Sequence, residues 1–498
     1  MSLIGIDVGS SSVKAAAYSI EGKLLAQAGA PLSQQHPAPG LWEQDPEEIW
    51  QAAAGSVRQL MQSESMRRDP PEAAAISASG RENFLADKDG NPLTQGVMGA
   101  DIRGAEFERV PPGVETPEPW CLSCGHLRER MDPIFRLAWW RREHPEIVEQ
   151  ATYFFGWHDF LAFRLAGRIV SDRSIASRYL VYDLENHQWD TERINEFKIP
   201  ETFLPEIQPW PSLIGPIRNE AAEEWGLPEN VVLALGGHDV NCAAVGAGAL
   251  ENGVACLISG SYENLIVVTD QLPTRTMLKK GLSVMPHPGY AGYSVLAVCP
   301  TGNVVLNWAR DILDVSIEDV ENELLARPSG PSPVMAVPYL SGSMVYWENG
   351  RCAKGGLLGL TLATDRVDIV QSFMESIAYD HVNTLSLLHE QGIGIHTIRA
   401  VGGGVRSGWW NQLKADLTGS TIEVSEHQEA GTLGAAILAG AAIGKIEDMN
   451  LFSRQISGTG AVYKPKNARK MLHQDRIDLY RRSIPTLISS TFEGWDHS

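Results

Sequence analysis

The first segment of the sequence that could do chemistry lies at residues 7–14. It supplies a carboxylate at Asp7, a glycine that permits close backbone approach at Gly9 and a cation at Lys14. Three consecutive hydroxyl groups fill the turn between them: Ser10, Ser11 and Ser12. A phosphoryl-transfer enzyme holds nucleotide phosphates with backbone N–H groups, hydroxyls and cations, so this set suits phosphate binding. Because Asp, Gly and Ser also favour plain hairpin turns, the segment alone leaves both interpretations open.

Two further segments have the composition of binding turns. Gly260 and Ser261 separate two strand-like runs, and residues 402–404, all glycine, separate a strand-like run from a helix that starts near Trp409. A glycine-rich turn from strand to helix lets a ligand approach backbone amides and a helix N-terminus. Each turn is weak evidence alone, but three of them together favour nucleotide binding.

Charged residues follow two apolar strands. Asp239 comes after residues 231–235 at the start of a predicted helix, where a carboxylate serves as a helix N-cap or as a base. Arg81 and Glu82 come after residues 73–76, where they form either a surface ion pair or a site that reads a diol. The residues alone favour the cap for Asp239 and leave the role of the pair open.

Strands and helices must position these residues, and their order predicts an α/β fold. Residues 2–6 and 13–18 form a predicted β-hairpin around the first turn. Residues 253–258 and 264–269 form a second predicted hairpin around Gly260 and Ser261. The same hairpin arrangement occurs twice, half a chain apart. This repeat predicts two related lobes whose hairpin tips face a shared cleft.

Length, charge and hydropathy limit the function. A chain of 498 residues exceeds one hydrophobic core, which favours two lobes with a boundary near residues 246–254. The net charge of −20 disfavours nucleic-acid binding, which needs a basic surface. No apolar run approaches the roughly 20 residues that span a bilayer, and a strand-like segment replaces a charged leader. We therefore expect a cytoplasmic protein with a small-molecule partner and no membrane contact.

Six cysteines are present, and the pair Cys121 and Cys124 lies close to His126. This C-x-x-C spacing occurs in zinc and redox sites, but no second pair has zinc-site spacing. The other four cysteines stand singly in apolar or small-residue surroundings, which is typical of reduced core cysteines. The pattern disfavours a metal or redox site and assigns no role to the pair.

Longer motifs resemble the FGGY carbohydrate kinases over nearly the whole chain. The matching segments are residues 40–50, 131–143, 355–360, 368–375 and 429–436. Four positions depart from the family pattern: Gly99 stands for a Trp, Arg136 for a Lys, Phe373 for a smaller residue, and Tyr262 for a small one. Tyr262 is similar to the bulky residue of fuculokinase-like members and counts against a glycerol kinase.

The resemblance implies two ribonuclease-H-like lobes of the actin and hexokinase type. The first lobe would span residues 1–250 and the second residues 251–445. Residues 446–498 would form an extension that packs on the second lobe or is partly flexible. The resemblance also implies transfer of a phosphoryl group from ATP, with Mg²⁺, to a small ketose or polyol, and it leaves a homodimer open.

The same resemblance gives roles to single residues. The implied phosphate contacts are Asp7, Gly9, Ser10, Ser11, Ser12, Lys14, Gly260, Ser261 and Gly302. The implied adenosine contacts are Gly403, Gly404 and Ser407, with the helix at 429–436 behind them. Asp239 would take the proton of the attacking hydroxyl, and Asp7 and Asp239 would hold Mg²⁺. The implied acceptor contacts are Arg81, Glu82 and Asp239. Asn264, on the strand after Tyr262, and Trp157, at the start of a predicted helix, are further candidates, and Trp157 is equally well explained as a core residue.

One alternative is an actin-like ATPase or a sugar-sensing protein that keeps the cleft without transfer. Asp239 favours the kinase, because a sensor needs no carboxylate beside the acceptor hydroxyl. The acceptor itself stays open among a ketopentose such as xylulose, a deoxyketose such as fuculose, a tetritol, gluconate and an autoinducer diol.

Overall fold

The structure, a computed structural model, describes residues 1–108, 118–347 and 350–492 of the chain. The strands are β1 (Ser2–Val8), β2 (Ser12–Ser19), β3 (Leu24–Pro31), β4 (Glu43–Gln44), β5 (Pro71–Ala78), β6 (Phe84–Ala86), β7 (Gly96–Val97), β8 (Tyr153–Phe155), β9 (Val170–Asp172), β10 (Tyr182–Asp183), β11 (Gln188–Trp189), β12 (Glu206–Gln208), β13 (Leu213–Pro216), β14 (Val232–His238), β15 (Val254–Ser259), β16 (Glu263–Thr269), β17 (Ser283–Pro286), β18 (Tyr293–Cys299), β19 (Met335–Val337), β20 (Gly356–Leu358), β21 (Thr397–Val401), β22 (Thr421–Val424) and β23 (Val462–Tyr463). The helices are α1 (Pro46–Met61), α2 (Glu64–Arg68), α3 (Pro119–Cys124), α4 (Pro133–Glu143), α5 (Pro145–Gln150), α6 (Trp157–Ala166), α7 (Arg173–Ala176), α8 (Thr191–Glu196), α9 (Asn219–Trp225), α10 (Asp239–Ala247), α11 (Arg275–Lys279), α12 (Asn303–Leu313), α13 (Ile317–Ala326), α14 (Arg366–Glu390), α15 (Gly408–Thr418), α16 (Ala430–Ala442), α17 (Met449–Ile456) and α18 (Asn467–Leu487).

The first sheet has the strand order β13-β14-β5-β1-β2-β3. β1 and β2 form the first predicted hairpin, which pairs Val8 with Val13 next to the turn. β5 and β14 belong to the same parallel set as β1, so the carboxyl ends of these three strands meet at one edge. In α/β sheets ligands bind outside this edge.

The second sheet has the strand order β17-β18-β16-β15-β21-β22-β23. β15 and β16 form the second predicted hairpin, and β21 and β22 run parallel to β15. In each sheet the hairpin carries a third antiparallel strand on one side, β3 or β18, and two parallel strands on the other. This match confirms the predicted α/β fold with two related lobes, while the residue limits of the lobes stay a prediction.

Helix α1 covers one face of the first sheet, as its apolar spacing predicts. Ile49, Trp50 and Val57 are buried in one core with the apolar residues of β1 and β5. The carboxylate of Asp45 accepts a hydrogen bond from the Glu47 N–H at 2.9 Å, which satisfies an amide at the helix start.

Helices α10 and α16 cross between the sheets, and each packs on the sheet from the other half of the chain. Val240 of α10 shares a core with Ile266 of the second sheet, and Leu433 of α16 shares one with Leu3 of the first. The helix expected at residues 429–436 forms as part of α16 and packs against the first sheet, while its place behind the adenosine pocket stays a prediction. The sequence shows the small residues of α16 but not which sheet they cover.

Glycines make this crossing close. A Cβ atom on Gly434 would lie 1.8 Å from the Cys242 carbonyl oxygen, and one on Gly246 would lie 2.0 Å from the Ala430 carbonyl oxygen. Backbone therefore touches backbone at the crossing, which only residues without a side chain permit.

The chain after residue 445 contacts both sheets. Ser453 of α17 donates a hydrogen bond to the Val245 carbonyl of α10, and β23 pairs with β22 at the edge of the second sheet. Ile477 and Tyr480 of α18 are buried in a core with α14 and α15. Residues 493–498 of the predicted extension lie outside the described residues.

Glu375 is a buried carboxylic acid in α14 that makes stability depend on pH. Burial raises the pKa of Glu375 to about 8, although hydrogen bonds from Gln371 and Ser332 and the charges of Arg476 and Arg469 lower it. The folded protein thus keeps a proton that the unfolded chain, with a pKa of 4.5, releases. The free energy of unfolding therefore falls as the pH rises from the unfolded to the folded pKa.

Glu375→Gln cannot ionise, so we expect its melting temperature to exceed that of the parent by at least ~2–4 °C at alkaline pH. Near the unfolded pKa the two melting temperatures should agree. Scanning fluorimetry at both pH values checks this, with Glu390→Gln as the exposed control on the same helix. A variant that melts with the parent at alkaline pH would contradict the prediction.

Candidate active site

The carboxyl ends of β1, β5 and β14 bring two aspartates together. Asp7 pairs with Ser77 across β1 and β5, and His238 pairs with Ala78 across β14 and β5. The register of β14 shifts shortly before Asp239, after Ala234. Such bulges redirect side chains next to active sites. The first sheet therefore presents Asp7 and Asp239 at one edge.

Asp7 lies in a confined site. Ser77 Oγ donates a hydrogen bond to Asp7 Oδ1 at 2.5 Å, and a Cβ atom on Gly431 of α16 would lie 2.9 Å from the Asp7 carboxylate. Burial raises the pKa of Asp7 to about 6, and the Asp239 carboxylate adds to the rise. Two neighbouring carboxylates at one sheet edge offer the oxygen ligands that Mg²⁺ prefers.

Asp239 is the first residue of α10, whose N-cap residue is His238. Asp239 Oδ1 accepts the Val240 N–H at 2.7 Å and lies 3.0 Å from His238 Nδ1. Burial alone would raise the pKa of Asp239, but the charges of His238 and Arg178 and these contacts outweigh it and lower the pKa. The side chain is 36% exposed, so an ionised carboxylate faces the solvent. Such a group can accept a proton from a bound hydroxyl.

The turn between β1 and β2 exposes hydroxyl groups. The Gly9 N–H donates to the Ser12 carbonyl at 3.0 Å, which closes the turn and leaves Ser10 and Ser11 exposed. Gln44 Nε2 donates to the Ser10 carbonyl at 2.7 Å and fixes the turn from outside. The predicted phosphate contacts at this tip are thus accessible.

Lys14 has a partner that the sequence did not indicate. Its Nζ lies 2.7 Å from Glu429 Oε2, just before α16. Both side chains are partly exposed, so the pair is weak and can rearrange. A phosphate contact from Lys14 would require it to share or leave Glu429.

The ends of β15, β18 and β21 form a second cluster of turns. A Cβ atom on Gly302 would lie 3.1 Å from the Ser261 carbonyl oxygen, and one on Gly404 would lie 2.2 Å from Ser259 Oγ. Gly260 lies in the same hairpin tip as Ser261, and α12 starts directly after Gly302. Bare backbone and a helix N-terminus thus meet at the edge of the second sheet, an arrangement that suits phosphate.

Helix α10 connects the two edges. It starts at Asp239, and the next residue, Val240, packs with Val401, the last residue of β21 before the glycine turn. The start of α10 therefore lies between the aspartate edge of the first sheet and the glycine turns of the second.

Three other predicted contacts have distinct surroundings. Gly403 is exposed in the glycine turn. Ser407 is buried and its Oγ accepts the Trp410 N–H at 3.1 Å, so it is the N-cap of α15. Asn264 lies on the same face of β16 as Ile266, which packs on α10, and its buried Oδ1 has no hydrogen-bond partner among the described residues. An unpartnered acceptor of this kind is available to a ligand.

Arg81 and Glu82 are buried after β5, and each faces a different partner. Arg81 forms salt bridges to Glu129 and Asp132, both at 2.5 Å. Burial raises the pKa of Glu82, and the charge of Arg136 opposes the rise. The structure therefore excludes a surface ion pair between Arg81 and Glu82, and their role at the acceptor stays a prediction.

Trp157 lies in the core of the first sheet. Its side chain is 1% exposed, its ring centroid lies 5.6 Å from that of Phe84, and a Cβ atom on Gly96 would lie 2.1 Å from the ring. The prediction that Trp157 forms a wall of the acceptor site is therefore wrong. The first turn of α6 directs this side chain into the sheet.

Sequence reasoning missed a buried ion cluster under the second hairpin tip. Glu263 contacts Lys414 Nζ and lies 2.5 Å from His381 Nε2, and Ser259 Oγ donates to it at 2.6 Å. Burial would raise the pKa of Glu263, but Lys414 and His381 outweigh this effect and hold it at about 2. Only the position of Glu263 directly after the turn could have drawn attention to it.

The cysteine pair is not part of this site. Burial raises the pKa of the Cys121 thiol to about 12, whereas a reactive cysteine has a lowered pKa. Among the described residues, the group with metal-ligand geometry is His126, Glu129 and Asp132. The two carboxylates of this group, Glu129 and Asp132, already form salt bridges with Arg81.

Residues from both halves of the chain line a cavity of about 950 Å³. Glu129, the partner of Arg81, lines it from the first half, and Lys279, Trp347 and Arg351 do so from the second. Its volume is sufficient for a small organic ligand.

Comparison with known proteins places these features in a family. The model of the N-terminal domain of the FGGY family of carbohydrate kinases matches residues 2–246, and the model of its C-terminal domain matches residues 292–443. A xylulose kinase of Staphylococcus epidermidis is 24% identical over 96% of this chain and 95% of its own. A glycerol kinase of Alteromonas mediterranea is 28% identical over 88% of this chain and 90% of its own. The solved gluconate kinase of Lactobacillus acidophilus shares the fold, with a TM-score of 0.90, 24% identity and 99% of both chains covered.

Two related sheets with turns at their facing edges define a two-lobed α/β enzyme with the fold of the sugar kinases. The chain belongs to the FGGY family of carbohydrate kinases. It is therefore a carbohydrate kinase, and the alternative of an actin-like ATPase or a sugar sensor is not favoured. Within the described ranges, no helix has the length and apolar character needed to cross a membrane.

Proposed function

We propose that the protein transfers the γ-phosphoryl group of ATP to a hydroxyl of a small sugar or polyol, with Asp239 as the general base. The observation that carries this proposal is the position of Asp239, an ionised and partly exposed carboxylate between the aspartate edge and the glycine turns. The relatives named xylulose kinase, gluconokinase and glycerol kinase support the class of acceptor.

In the proposed reaction the acceptor hydroxyl gives its proton to Asp239 while its oxygen forms a bond to the γ-phosphorus. The bond from the γ-phosphorus to the bridging oxygen breaks, and ADP leaves. Because Asp239 is a weak base, alignment of the hydroxyl contributes most of the acceleration. Backbone N–H groups and hydroxyls of the two hairpin turns would hold the phosphates. These groups belong to Gly9, Ser10 to Ser12, Gly260 and Ser261, and the turn at Gly302 would join them.

The two aspartates at the edge of the first sheet, Asp7 and Asp239, suit a divalent cation. Asp7 and Asp239 would hold Mg²⁺, since the Asp239 carboxylate is near enough to raise the pKa of Asp7 and both groups offer hard oxygen ligands. When bound, the ion neutralises charge on the phosphates. Gly403 and Gly404 would contact adenosine, with Ser407 fixing the following helix.

The acceptor contacts proposed on this chain are Arg81, Glu82 and Asn264. Arg81 and Glu82 follow the strand next to β14, which ends at the base, and Glu129, the partner of Arg81, lines the cavity. The unpartnered Asn264 Oδ1 can accept a hydrogen bond from a sugar hydroxyl. A ketose or polyol supplies the hydroxyl groups that these side chains recognise.

A coupled assay of ADP release tests the proposal. Purified protein is incubated with ATP, Mg²⁺ and single acceptors, among them D-xylulose, L-xylulose, glycerol and gluconate. We expect ADP release to depend on one acceptor or a few, because a site built to hydrogen-bond hydroxyls discriminates strongly against analogues that lack them. ADP release at the same rate without any acceptor would contradict sugar phosphorylation.

A further inference from the structure

Arg178 is a buried arginine with unused hydrogen-bond donors. It is 4% exposed, and its Nε and Nη1 atoms have no hydrogen-bond partner in the part of the chain that the structure describes. The other buried arginines nearby are engaged: Arg81 pairs with two carboxylates, and Arg136 donates to backbone carbonyls including that of Val97. A desolvated guanidinium without partners costs free energy, so its donors are available to a ligand that restores them.

The backbone that carries Arg178 is tied to the strand that carries the base. Arg178 follows α7 in a short 3₁₀ turn, Ser177–Tyr179. Ser174 of α7 donates its hydroxyl to Asp172 at 2.5 Å and accepts the His238 N–H at 3.0 Å. These bonds fix the turn relative to the residue that precedes Asp239.

The side chain of Arg178 lies between the base and the proposed acceptor contacts. A Cβ atom on Gly80 would lie 2.8 Å from both Arg178 Cγ and His238 Cδ2, so both side chains pack on the residue before Arg81. His238 is directly followed by Asp239, the first residue of α10. Arg178 thus reaches the region where an acceptor hydroxyl would meet Asp239.

The charges around Arg178 favour an uncharged ligand. The acidic groups nearby are Glu129 and Asp132, and Asp239 follows His238, which packs beside Arg178. The other cations are Arg81 and Arg351, and Arg351 also contacts a further acid, Glu108. A carboxylate on the ligand would meet more negative than positive groups here. Carbonyl and hydroxyl oxygens accept hydrogen bonds without adding charge.

Resting on the proposed function, we infer that Arg178 is a specificity-determining residue of the acceptor site. Its free N–H groups donate hydrogen bonds to oxygens of a neutral ketose or polyol, next to the hydroxyl whose proton Asp239 accepts. The ligand replaces the hydrogen bonds that the buried guanidinium lacks in the protein alone. Arg178 is therefore kept unpaired for the acceptor, while Arg81 is neutralised by Glu129 and Asp132.

Arg178→Met tests this inference, because it removes the donors and keeps much of the apolar stem. We expect the KM for the preferred acceptor to rise ~10-fold or more, with the KM for ATP unchanged. The melting temperature should stay the same or rise, since a desolvated charge without partners is lost. Stabilisation of the parent by D-xylulose or glycerol without ATP, measured by thermal shift, should disappear in the variant. Arg173→Met, on the preceding helical turn and only half-buried, is the matched control and should behave like the parent.

The outcomes separate three cases. An unchanged acceptor KM in Arg178→Met would overturn the inference. If the melting temperature also falls, Arg178 is a structural residue. A parent that prefers gluconate to the neutral acceptors would overturn the neutral class. A parent that releases no ADP with any acceptor would count against the proposed function instead, and thermal stabilisation by a neutral sugar that depends on Arg178 would still support the contact.

Discussion

Asp239→Asn is expected to lower kcat by ~10² or more while sugar and ATP still bind, because general-base catalysis is lost. The amide keeps the size of the carboxylate, and its oxygen can still accept the Val240 N–H at the start of α10. The fold should therefore survive. Steady-state kinetics and a melting curve on one preparation measure both quantities.

A matched control exists in the same protein. The carboxylate of Asp190 also sits at a helix start, where it accepts the Arg193 N–H at 3.1 Å. Asp190→Asn tests the same chemical change away from the site and should leave kcat unaltered. Turnover near that of the parent in a well-folded Asp239→Asn protein would remove Asp239 as the base.

Gly434→Ala is expected to have the largest effect on stability. The new methyl group would lie where the Cys242 carbonyl oxygen approaches to 1.8 Å, and neither backbone can move without separating α10 from α16. Overpacking of a core costs about 1–3 kcal/mol and more where backbone blocks relaxation. For a chain of this length about 1 kcal/mol corresponds to ~1 °C, so we expect the melting temperature to fall by ~3–6 °C or the protein to fail to accumulate.

Gly394→Ala provides the comparison, because a Cβ atom at that position meets nothing within 4 Å. This variant should melt within a degree or two of the parent, roughly the scale of surface substitutions. Equal melting temperatures of the Gly434→Ala and Gly394→Ala proteins would show that the helix crossing tolerates a side chain.

The sequence predicts those parts of the fold that depend on local pattern. The two hairpins follow from short apolar runs around Gly-Ser turns, and both form as expected. Asp239 could be selected because it follows a buried strand, a position where α/β proteins place functional residues. The amphipathic helix after Asp45 could be predicted from the apolar spacing of Ile49 and Trp50.

Features that depend on distant contacts could not be predicted. Trp157 is buried because Phe84 and Gly96 leave room for its ring, and nothing around position 157 shows this. Arg178 stands in an ordinary surface-like segment, and its burial arises from the packing of α7 against β14. Arg81 was expected to act with its neighbour Glu82, but its salt-bridge partners, Glu129 and Asp132, come from a distant part of the sequence.

The exchange of α10 and α16 between the sheets affects how the chain folds during synthesis. All strands of the first sheet have been synthesised once residue 238 is added, but the helix that covers Leu3 and Ala73 comes from residues 430–442. The N-terminal half must therefore wait, with an apolar face uncovered, until most of the chain is complete. Either half expressed alone would lack a layer of its core and be prone to aggregate. The two lobes are thus one folding unit, although each carries a sheet of its own.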